Sequence, residues 1–342
     1  MDSLFKGAVR SFINMIVKII GAAIGIVVVL IGIEVILSHS PERHTSTVLH
    51  PTHEWKKVSF SASRPTILYV PVVGAIGFNR MNTKHDMLHI LQDLQTLDLH
   101  PGMLKAIVLY INSPGGVSDD ADAIFRMLLE FKRSAQIPVY AYVDGLCASG
   151  GYLISLVADS IAATTPSIVG SIGVIMPTAF NFSKTMERLG IDSKTIAAGK
   201  SKDELNPFRP WKTDEAKNFQ NIVDAYYMRF VNLVVHHRPR LTEEKVREEG
   251  ANIFTAEKAV EAGYIDRISD SYTETLKDIA QSLEISSDYQ VLELRPELTF
   301  NDFFGPGTFL KHGVIQHQVR IPGDLPPDTA GKALYLYRPE NG

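Results

Sequence analysis

The chain of 342 residues contains a single cysteine, Cys147. One cysteine cannot form an intramolecular disulfide, and it cannot supply the several thiolates of a cysteine-rich metal site. The chain also has no excess of basic residues, because its 34 lysines and arginines are outnumbered by 38 acidic residues, which gives a net charge of -4. The sequence therefore excludes a disulfide-stapled fold and a cysteine-based metal centre, and it predicts no nucleic-acid partner.

Two further patterns are missing. No phosphate-binding sequence of the form GxxxxGK[ST] occurs, so the glycine-rich stretches do not indicate a nucleotide site. No histidine lies between residues 101 and 235, where the clearest strand and helix patterns fall. A serine nucleophile in this region would need a base other than histidine, and lysine is the other option.

A long hydrophobic run occupies residues 13–37, with Lys18 and Glu34 near its ends. At about 1.5 Å per residue it reaches about 37 Å as a helix, which exceeds the bilayer core of about 30 Å. A cleaved signal peptide is the alternative, but its apolar region is normally shorter, about 7 to 15 residues. We therefore predict one uncleaved transmembrane helix at residues 13–37.

Basic residues lie before the predicted anchor, at Lys6 and Arg10, and near its start, at Lys18. By the positive-inside rule, residues 1–12 then lie in the cytoplasm and the chain after the anchor lies across the membrane. In a bacterium, the predicted location is the inner (cytoplasmic) membrane, crossed once, with the main domain on the periplasmic or extracellular side. The lipid bilayer is thus a predicted partner.

Beyond the anchor, residues 38–65 are polar and patternless, which is typical of a linker. Nearly continuous apolar runs follow at residues 66–73, 105–111 and 138–143. Such runs are typical of strands covered on both faces, as in a parallel sheet. Because residues 119–133 repeat apolar positions at helical spacing, strand, helix and strand predict βαβ units. We therefore predict an α/β fold.

Two short motifs fall at the carboxyl edge of this predicted sheet, where open α/β folds hold their sites. INSPGG, residues 111–116, follows one strand, and its glycines can turn the backbone and point amide N–H groups into a cleft. ASGGYLIS, residues 148–155, places Ser149 where the next strand gives way to a helix. An ordinary loop or a close-packed turn would explain either motif alone, but the pair suggests acyl transfer.

A base for Ser149 could come from GKSKD, residues 199–203, in a segment too broken for a good helix. Lys200 and Lys202 both lie there, although most lysines are solvated surface charges. A pair of histidines follows residue 235, but these follow an apolar helical run and are expected to be a solvated helix end. The residues alone leave the identity of the base open.

Five motifs occur in the order and approximate spacing of the signal peptide peptidase A family of membrane-anchored serine–lysine peptidases: INSPGG, ASGGYLIS, VGSIGVI, GKSKD and TAEKAVEAGYID. The chain resembles this family over roughly residues 66–270, which we take as the peptidase domain. The resemblance implies a Clp protease/crotonase-like core of stacked βαβ units. No second SPGG or ASGG occurs, so the chain resembles the single-copy form. Residues 271–342 are a C-terminal extension of unknown role.

The resemblance also implies roles for individual residues. Ser149 is the expected nucleophile, Lys202 the general base, and Ser171 the hydroxyl that positions the lysine amine. Gly116 and Gly150 are the expected oxyanion amides. A lysine acts as a base only when neutral, and burial is what lowers the pKa of a lysine. The implied reaction needs no metal and no cofactor.

Single-copy relatives assemble as rings in which adjacent subunits supply the serine and the lysine of one site, and the resemblance implies the same homo-oligomer here. The expected substrates are extended peptides near the membrane, such as signal-peptide remnants. Two alternatives stay open: a crotonase-type enzyme acting on acyl-CoA, and a catalytically silent crotonase-fold membrane scaffold. Intact Ser149 and Lys202 argue against the scaffold, and the absence of CoA outside the cell argues against the acyl-CoA enzyme.

Overall fold

The computed structural model describes residues 45–296 apart from residues 57 and 79–81, the short strand Leu334–Leu336, and four isolated helical positions near the N-terminus. The chain divides into two compact units. Residues 45–295 and 321–342 form one unit, which holds the fold described below. The other unit, residues 1–44 and 296–320, lies almost entirely outside the described residues.

Strands and helices alternate through most of the described chain. In chain order the elements are β1 (Thr45–His50), β2 (Thr66–Val73), α1 (Lys84–Thr96), β3 (Leu104–Ser113), β4 (Gly115–Val117), α2 (Ser118–Ala135), β5 (Val139–Ala148), α3 (Gly150–Ser155), β6 (Ser160–Ala163), β7 (Ile168–Gly170), α4 (Ser183–Arg188), α5 (Lys217–His237), α6 (Glu243–Glu249), β8 (Ile253–Thr255), α7 (Ala256–Ala262), β9 (Arg267–Ile268), α8 (Tyr272–Ser282), β10 (Gln290–Pro296) and β11 (Leu334–Leu336).

Nine of the described strands form one sheet in the order β1-β10-β2-β3-β5-β6-β9, with β7 beside β5 and β8 beside β7, and β4 pairs with β11 in a separate two-stranded sheet. Neighbouring strands are parallel all the way from β10 through β2, β3, β5 and β6 to β9. β7 also runs parallel to β5, whereas β8 runs antiparallel to β7. Parallel neighbours need a crossover connection, which α1 supplies between β2 and β3 and α2 supplies between β3 and β5. The predicted βαβ units are confirmed.

The central strands are buried on both faces. On one face, Leu68 of β2 lies in a cluster with Leu91 of α1 and Phe125 of α2. On the other face, the neighbouring Ile67 lies in a second cluster with Leu276 of α8. Because alternate residues of a strand point to opposite faces, helices on both sides require apolar side chains at every position. This two-sided burial explains the nearly continuous apolar runs.

The sheet takes in segments on both sides of residues 66–270. β1 lies within residues 38–65, and α8 and β10 lie within residues 271–342. β10 runs parallel to β2, with Val291 opposite Ile67. β1 has the sequence TSTVLH, whose polar first half carries no strand-like apolar run. The place of β10 next to β2 depends on a long-range pairing that no local pattern reveals.

A buried arginine ties α5 to the far edge of the sheet. Arg238 donates to the two carboxylate oxygens of Asp266 at 2.9 and 2.8 Å. Asp266 also accepts the N–H of Ile161 in β6 at 2.7 Å. Burial alone would raise the pKa of Asp266, but the hydrogen bonds from Arg238 and Ile161 outweigh it and hold this pKa below its usual value. Arg238 thereby fixes the end of α5 against β6.

Among the described residues, no helix is both long enough and apolar enough to cross a bilayer. The predicted anchor, residues 13–37, falls outside the described residues except at Met15, Lys18, Gly21 and Gly25, each of which is helical. The anchor stays a prediction.

Candidate active site

The ends of β3, β5 and β7 lie side by side at the carboxyl edge of the sheet. Ser113 of β3 is opposite Cys147 of β5, and Ala148 of β5 is opposite Gly170 of β7. Ser149 comes directly after Ala148, and Ser171 comes directly after Gly170. This register places the INSPGG, ASGG and GSIG motifs at one edge, as expected for a site in an α/β fold.

Ser149 lies in a sharp turn between β5 and α3. Its φ of 52° and ψ of -117° are unusual for a residue other than glycine. The turn is held on both sides, because the Ser149 N–H donates to the Gly170 carbonyl at 2.8 Å and the Ser149 carbonyl accepts from Leu153 at 2.9 Å. Such backbone strain costs about 1–3 kcal/mol and persists only where the surroundings enforce it.

The Ser149 side chain is buried, and its Oγ has no hydrogen-bond partner among the described residues. Most buried hydroxyl groups have a partner, and leaving one unsatisfied costs about 1–3 kcal/mol. Within the described part of the chain, the hydroxyl is therefore available to interact with a bound group. This combination of strain and an unpartnered hydroxyl is typical of a functional position.

The neighbouring Cys147 is a poor nucleophile. Its thiol is fully buried, and this burial raises its pKa to about 12. The thiolate is the reactive form of cysteine, and almost none of it exists at neutral pH with such a pKa. Ser149 is thus the candidate nucleophile in this turn.

A serine outside the predicted set supports the glycine turn. The Ser113 Oγ donates to the Gly74 carbonyl at 2.7 Å and accepts from the Gly115 N–H at 3.1 Å. A short polar side chain directly before Pro-Gly-Gly is the sequence signal for such a turn. Ser113 therefore fixes the point where β3 passes into β4.

Gly116 lies where a side chain has no room. A Cβ at this position would lie 2.1 Å from the Ile76 carbonyl oxygen, so only glycine allows β4 to approach Ile76. Val117 donates to that same carbonyl at 2.9 Å, and Ile76 donates to Gly115 at 2.8 Å. Because successive residues of a strand direct their backbone N–H groups to opposite edges, the Gly116 N–H points to the edge of β4 away from Ile76.

Gly150 and Gly151 begin α3 and are buried. A Cβ on Gly151 would lie 3.0 Å from the Ser113 carbonyl oxygen, so α3 packs tightly against the INSPGG turn. The Gly150 N–H belongs to the first turn of a helix, whose amides have no acceptor within that helix. Gly150 and Gly116 thus lie on segments that pack together around Ser113.

Ser171 follows β7 in a left-handed backbone conformation, with a φ of 58°. It is 5% exposed, and its N–H donates to the Asn252 carbonyl at 2.7 Å. Ser149 follows Ala148 and Ser171 follows Gly170, and Ala148 and Gly170 lie opposite each other on neighbouring strands. The structure therefore brings the two serines to neighbouring positions.

Residues 175–211, which we call the lysine arm, carry Lys200 and Lys202. Both lysines are exposed and lie in turns rather than in a helix. Among the described residues Ser149 Oγ has no hydrogen-bond partner, so Lys202 makes no hydrogen bond to it in this structure. α4, the helix of the arm, buries none of its residues. The arm also exposes large apolar side chains at Ile175, Phe180, Phe182, Leu189, Ile191, Ile196, Phe208 and Trp211.

An arginine inside the arm holds the lysine loop together. Arg209 donates to the Asp203 carboxylate and to the Asp203 backbone carbonyl, both at 2.7 Å. It also donates to both oxygens of Glu215, at 2.9 and 3.0 Å, and Glu215 accepts the N–H of Leu205. The hydrogen bonds from Arg209 lower the pKa of Glu215 to about 2 and also lower the pKa of Asp203. The sequence offers no signal that pairs these three residues.

A cavity of about 600 Å³ lies beside β4. Val117 of β4 and Met176 of the lysine arm contribute to its wall, as do Phe219 and Ile222 of α5. Asp119 and Lys84, which form an ion pair, also contribute. The lining of the cavity thus combines apolar side chains with an ion pair.

Comparisons with known proteins identify the family of the chain. Residues 131–286 match Peptidase family S49, and residues 74–168 match the Clp protease family. The structure of a ClpP1 mutant from Listeria monocytogenes can be superposed with a TM-score of 0.39 and 16% sequence identity. The superposition covers 61% of this chain and 94% of the ClpP1 chain. The assignment of a Clp protease-like α/β fold rests on the family match and on the strand order.

Individual relatives are named as proteases. "Putative protease MJ0651" of Methanocaldococcus jannaschii is 34% identical over 227 residues, which cover 66% of this chain and 70% of the relative. "Putative signal peptide peptidase SppA" of Enterococcus faecium is 33% identical over 57% of this chain and 56% of the relative. "Protease 4" of Salmonella typhi is 31% identical over 49% of this chain and 26% of the relative. The chain belongs to peptidase family S49, the signal peptide peptidase A family, and is a serine peptidase.

Proposed function

We propose that the chain is a membrane-anchored endopeptidase with a serine–lysine dyad, in which Ser149 is the nucleophile and Lys202 the general base. The observation that carries the proposal is the Ser149 hydroxyl, which is buried, has no hydrogen-bond partner in the part of the chain that the structure describes, and is held at a strained turn. A serine hydroxyl attacks only when a base accepts its proton. The chain between residues 101 and 235 contains no histidine, so lysine is the base available to it.

Each predicted residue has a part in the proposed reaction. Ser149 Oγ attacks the peptide carbonyl carbon while the neutral Lys202 amine accepts the hydroxyl proton. The oxyanion that forms is stabilised by the N–H groups of Gly116 and Gly150. Lys202 then donates the proton to the leaving amine and later activates the water that releases the acyl group. Ser171 holds the lysine amine in position by a hydrogen bond.

We propose that the serine and the lysine of one site come from adjacent subunits of a ring-shaped homo-oligomer. The lysine arm supports this arrangement, because it exposes eight large apolar side chains, from Ile175 to Trp211, that a second copy would cover. Contact with the neighbouring copy would also desolvate Lys202 and favour its neutral form. Head-to-tail contacts of this kind close into rings.

The proposed substrates are extended peptides close to the membrane, such as signal-peptide remnants. The cavity beside Val117 supports this class, because its apolar wall fits an aliphatic side chain of a bound strand. The anchor at residues 13–37 would hold the enzyme in the inner membrane with its catalytic domain on the periplasmic or extracellular side. Substrates remaining in that membrane would then be close to the site.

Mixing two inactive variants tests this proposal. Chains carrying Ser149→Ala retain the lysine, and chains carrying Lys202→Ala retain the serine. Suppose that one subunit supplies the serine of each site and its neighbour supplies the lysine. In oligomers assembled at random from equal amounts of the two variants, about half of the serines and about half of the lysines are intact, so about a quarter of the sites have both. We therefore expect about a quarter of the parent peptidase activity.

The matched control mixes Lys202→Ala with the double variant Ser149→Ala/Lys202→Ala, which supplies no lysine at all. Native mass spectrometry with tagged chains confirms that the two variants share oligomers. No recovery in verified mixed oligomers would mean that serine and lysine act within one chain. No cleavage of any peptide by the parent would reject the peptidase itself.

A further inference from the structure

β5 changes its neighbour shortly before the candidate nucleophile. Residues 140–143 pair with β6, and residues 146–148 pair with β7. Residues 144–145 lie between the two paired segments. β7 leads directly into Ser171, so the change of neighbour is what brings the end of β5, and Ser149 after it, beside Ser171.

The register between β3 and β5 shows that β5 carries two extra residues at this place. Val143 lies opposite Ile111. Cys147 is four residues further along β5, but it lies opposite Ser113, which is only two residues further along β3. Residues 144–146 therefore form a β-bulge. A bulge bends its strand and re-aims side chains, and bulges are frequent next to active sites. This bulge is the bend at which β5 leaves β6 for β7.

Two side chains accept backbone N–H groups of the bulge. The Ser167 Oγ, directly before β7, accepts from the Gly145 N–H at 3.0 Å. Ser167 is 1% exposed, and its hydroxyl also donates to the Val143 carbonyl at 3.2 Å. The Asn112 Oδ1 accepts from the Leu146 N–H at 3.2 Å. Because a bulge interrupts the backbone ladder, these side chains replace ladder hydrogen bonds and tie the bulge to β7 on one side and to β3 on the other.

Further contacts from β3 surround the same bulge. The Tyr110 phenol donates to the Asp144 carboxylate at 2.7 Å. Gly145 has a φ of 109°, and a Cβ there would lie 2.9 Å from the Asn112 Oδ1. Asn112 thus packs directly against the bulge and also bonds to it. All three residues of the bulge are held by side chains from outside β5.

Side-chain alternation does not oppose a two-residue change of register in β5. A one-residue slip turns the apolar side chains away from the core, whereas a two-residue slip returns them to the same face. At about 3.3 Å per residue, such a slip would move Ser149 by about 7 Å relative to Gly116. A misplacement of only about 1 Å can cost about a hundredfold in rate. The hydrogen bonds that hold the bulge are therefore well placed to fix the position of Ser149.

We propose that Asn112 and Ser167 are positioning residues, which act through the β5 bulge to set the position of the Ser149 hydroxyl against the Gly116 amide. The inference rests on the proposed function, since it takes Ser149 as the nucleophile. Both side chains act through the backbone of residues 145–146 and not by contact with the reacting atoms. None of the residues that line the cavity beside β4 belongs to the bulge. Loosening the bulge should therefore lower kcat and leave KM nearly unchanged.

The kinetic test uses the full-length chain and a short fluorogenic peptide. Asn112→Ala removes the acceptor of the Leu146 N–H, and Asn112→Asp keeps an oxygen there. We expect the kcat of Asn112→Ala and of Ser167→Ala to fall about tenfold to a hundredfold, with KM within about twofold. The kcat of Asn112→Asp should stay within about threefold of the parent. The control is Tyr140→Phe, which removes a hydrogen bond of 3.0 Å between β5 and Ser282 outside the bulge, and it should change neither constant more than about twofold.

Hydrogen–deuterium exchange measures the bulge without any cleavage. The chains for this measurement all carry Ser149→Ala. Loss of one hydrogen bond should make the amides of residues 145–146 exchange about fivefold to tenfold faster when Asn112→Ala or Ser167→Ala is added. Asn112→Asp should leave their exchange unchanged.

The outcomes separate the positioning role from the proposed peptidase mechanism. Faster exchange with an unchanged kcat in Asn112→Ala, or equal losses of kcat in Asn112→Ala and Asn112→Asp, would overturn the positioning role. Unchanged exchange in both alanine variants would show that these side chains do not hold the bulge. Full peptidase activity of Ser149→Ala would reject the proposed nucleophile, even where exchange shows that the bulge is held as described. Circular dichroism checks that each variant is folded, and the exposed Asn112 carries the test if Ser167→Ala does not fold.

Discussion

At the scale of the residue, Ser149 combines three properties that are each unfavourable for folding. Its backbone has a positive φ, its side chain has no exposure, and its hydroxyl has no partner among the described residues. Strain and an unsatisfied hydroxyl each cost about 1–3 kcal/mol. A purely structural position could hold a residue without either cost, so the three properties together favour a catalytic role for this serine.

The first prediction concerns which lysine is the base. Lys200 and Lys202 are both exposed in one chain, so their exposure does not distinguish them. The resemblance to the signal peptide peptidase A family favours Lys202, because that family places its lysine three residues after a glycine, here Gly199. Loss of a proton acceptor costs about 10² to 10⁴ in rate, and more where the nucleophile depends on it wholly. Lys202→Ala should therefore abolish peptide cleavage while leaving assembly intact.

Lys200→Ala is the matched control, because it removes an exposed lysine two residues away. Its kcat/KM should stay within a few fold of the parent value. Steady-state kinetics with a fluorogenic peptide compare the two variants, and size-exclusion chromatography checks their assembly. The reverse pattern would move the base to Lys200 and remove the proposed contact between Ser171 and Lys202.

At the scale of the element, the lysine arm is folded but contributes little to the core. Its hydrogen bonds join the two sides of the arm, as from Asn206 to Thr195 at 2.8 Å and from Ser193 to the Phe208 carbonyl at 2.6 Å. Its helix α4 buries no residue. In the proposed ring, a neighbouring subunit would pack against the arm, and the hydrogen bonds within the arm would keep the Lys202 loop in shape before assembly.

The second prediction follows from the clasp that Arg209 forms around this loop. Arg209 contacts the carbonyl of Asp203, the residue next to Lys202, and both oxygens of Glu215. A lysine cannot reproduce this planar set of donors. Arg209→Lys should displace the Lys202 amine and lower kcat about tenfold to a hundredfold. Its KM should change little, because the clasp does not line the strand edge of β4.

Arg188→Lys, at an exposed position in the same arm, is the control substitution and should leave kcat and KM within about twofold. The pH profile gives a second readout. With a pKa of about 2, Glu215 stays ionised in the folded protein until the pH falls toward 2, so its clasp is intact throughout the neutral range. A fall in kcat of Arg209→Lys at all pH values from 6 to 9 therefore fits displacement of the lysine. Equal kcat values for Arg209→Lys and the parent would show that the clasp only stabilises the arm.

At the scale of the whole molecule, the sequence predicts those parts whose signal is local. β2, β3 and β5 are buried on two faces and therefore read as continuous apolar runs, and α2 has a clear helical repeat. The strand-to-helix turn at Ser149 follows from these elements. The polar β1, the pairing of β10 with β2, and the pairing of β11 with β4 depend on contacts between residues far apart in the chain. The partners of Arg209 depend on loop geometry, which no periodicity predicts.

The third prediction concerns the orientation of the chain in the membrane. Lys6, Arg10 and Lys18 precede or begin the hydrophobic run, and basic residues flanking a span stay in the cytoplasm. The peptidase domain would then face the periplasm or the exterior. Protease added to cells with a permeabilised outer layer should digest the chain beyond Leu37.

The controls for orientation use the same cells. An epitope tag fused before Met1 should stay protected until the inner membrane is opened, and a cytoplasmic marker protein should stay intact in the same sample. A variant with Lys6→Glu and Arg10→Glu weakens the positive-inside signal, so part of its peptidase domain should become protected from protease. Complete protection of the parent chain beyond Leu37, with an accessible tag, would reverse the proposed orientation. Signal-peptide remnants on the outer side of the membrane would then be out of reach of Ser149.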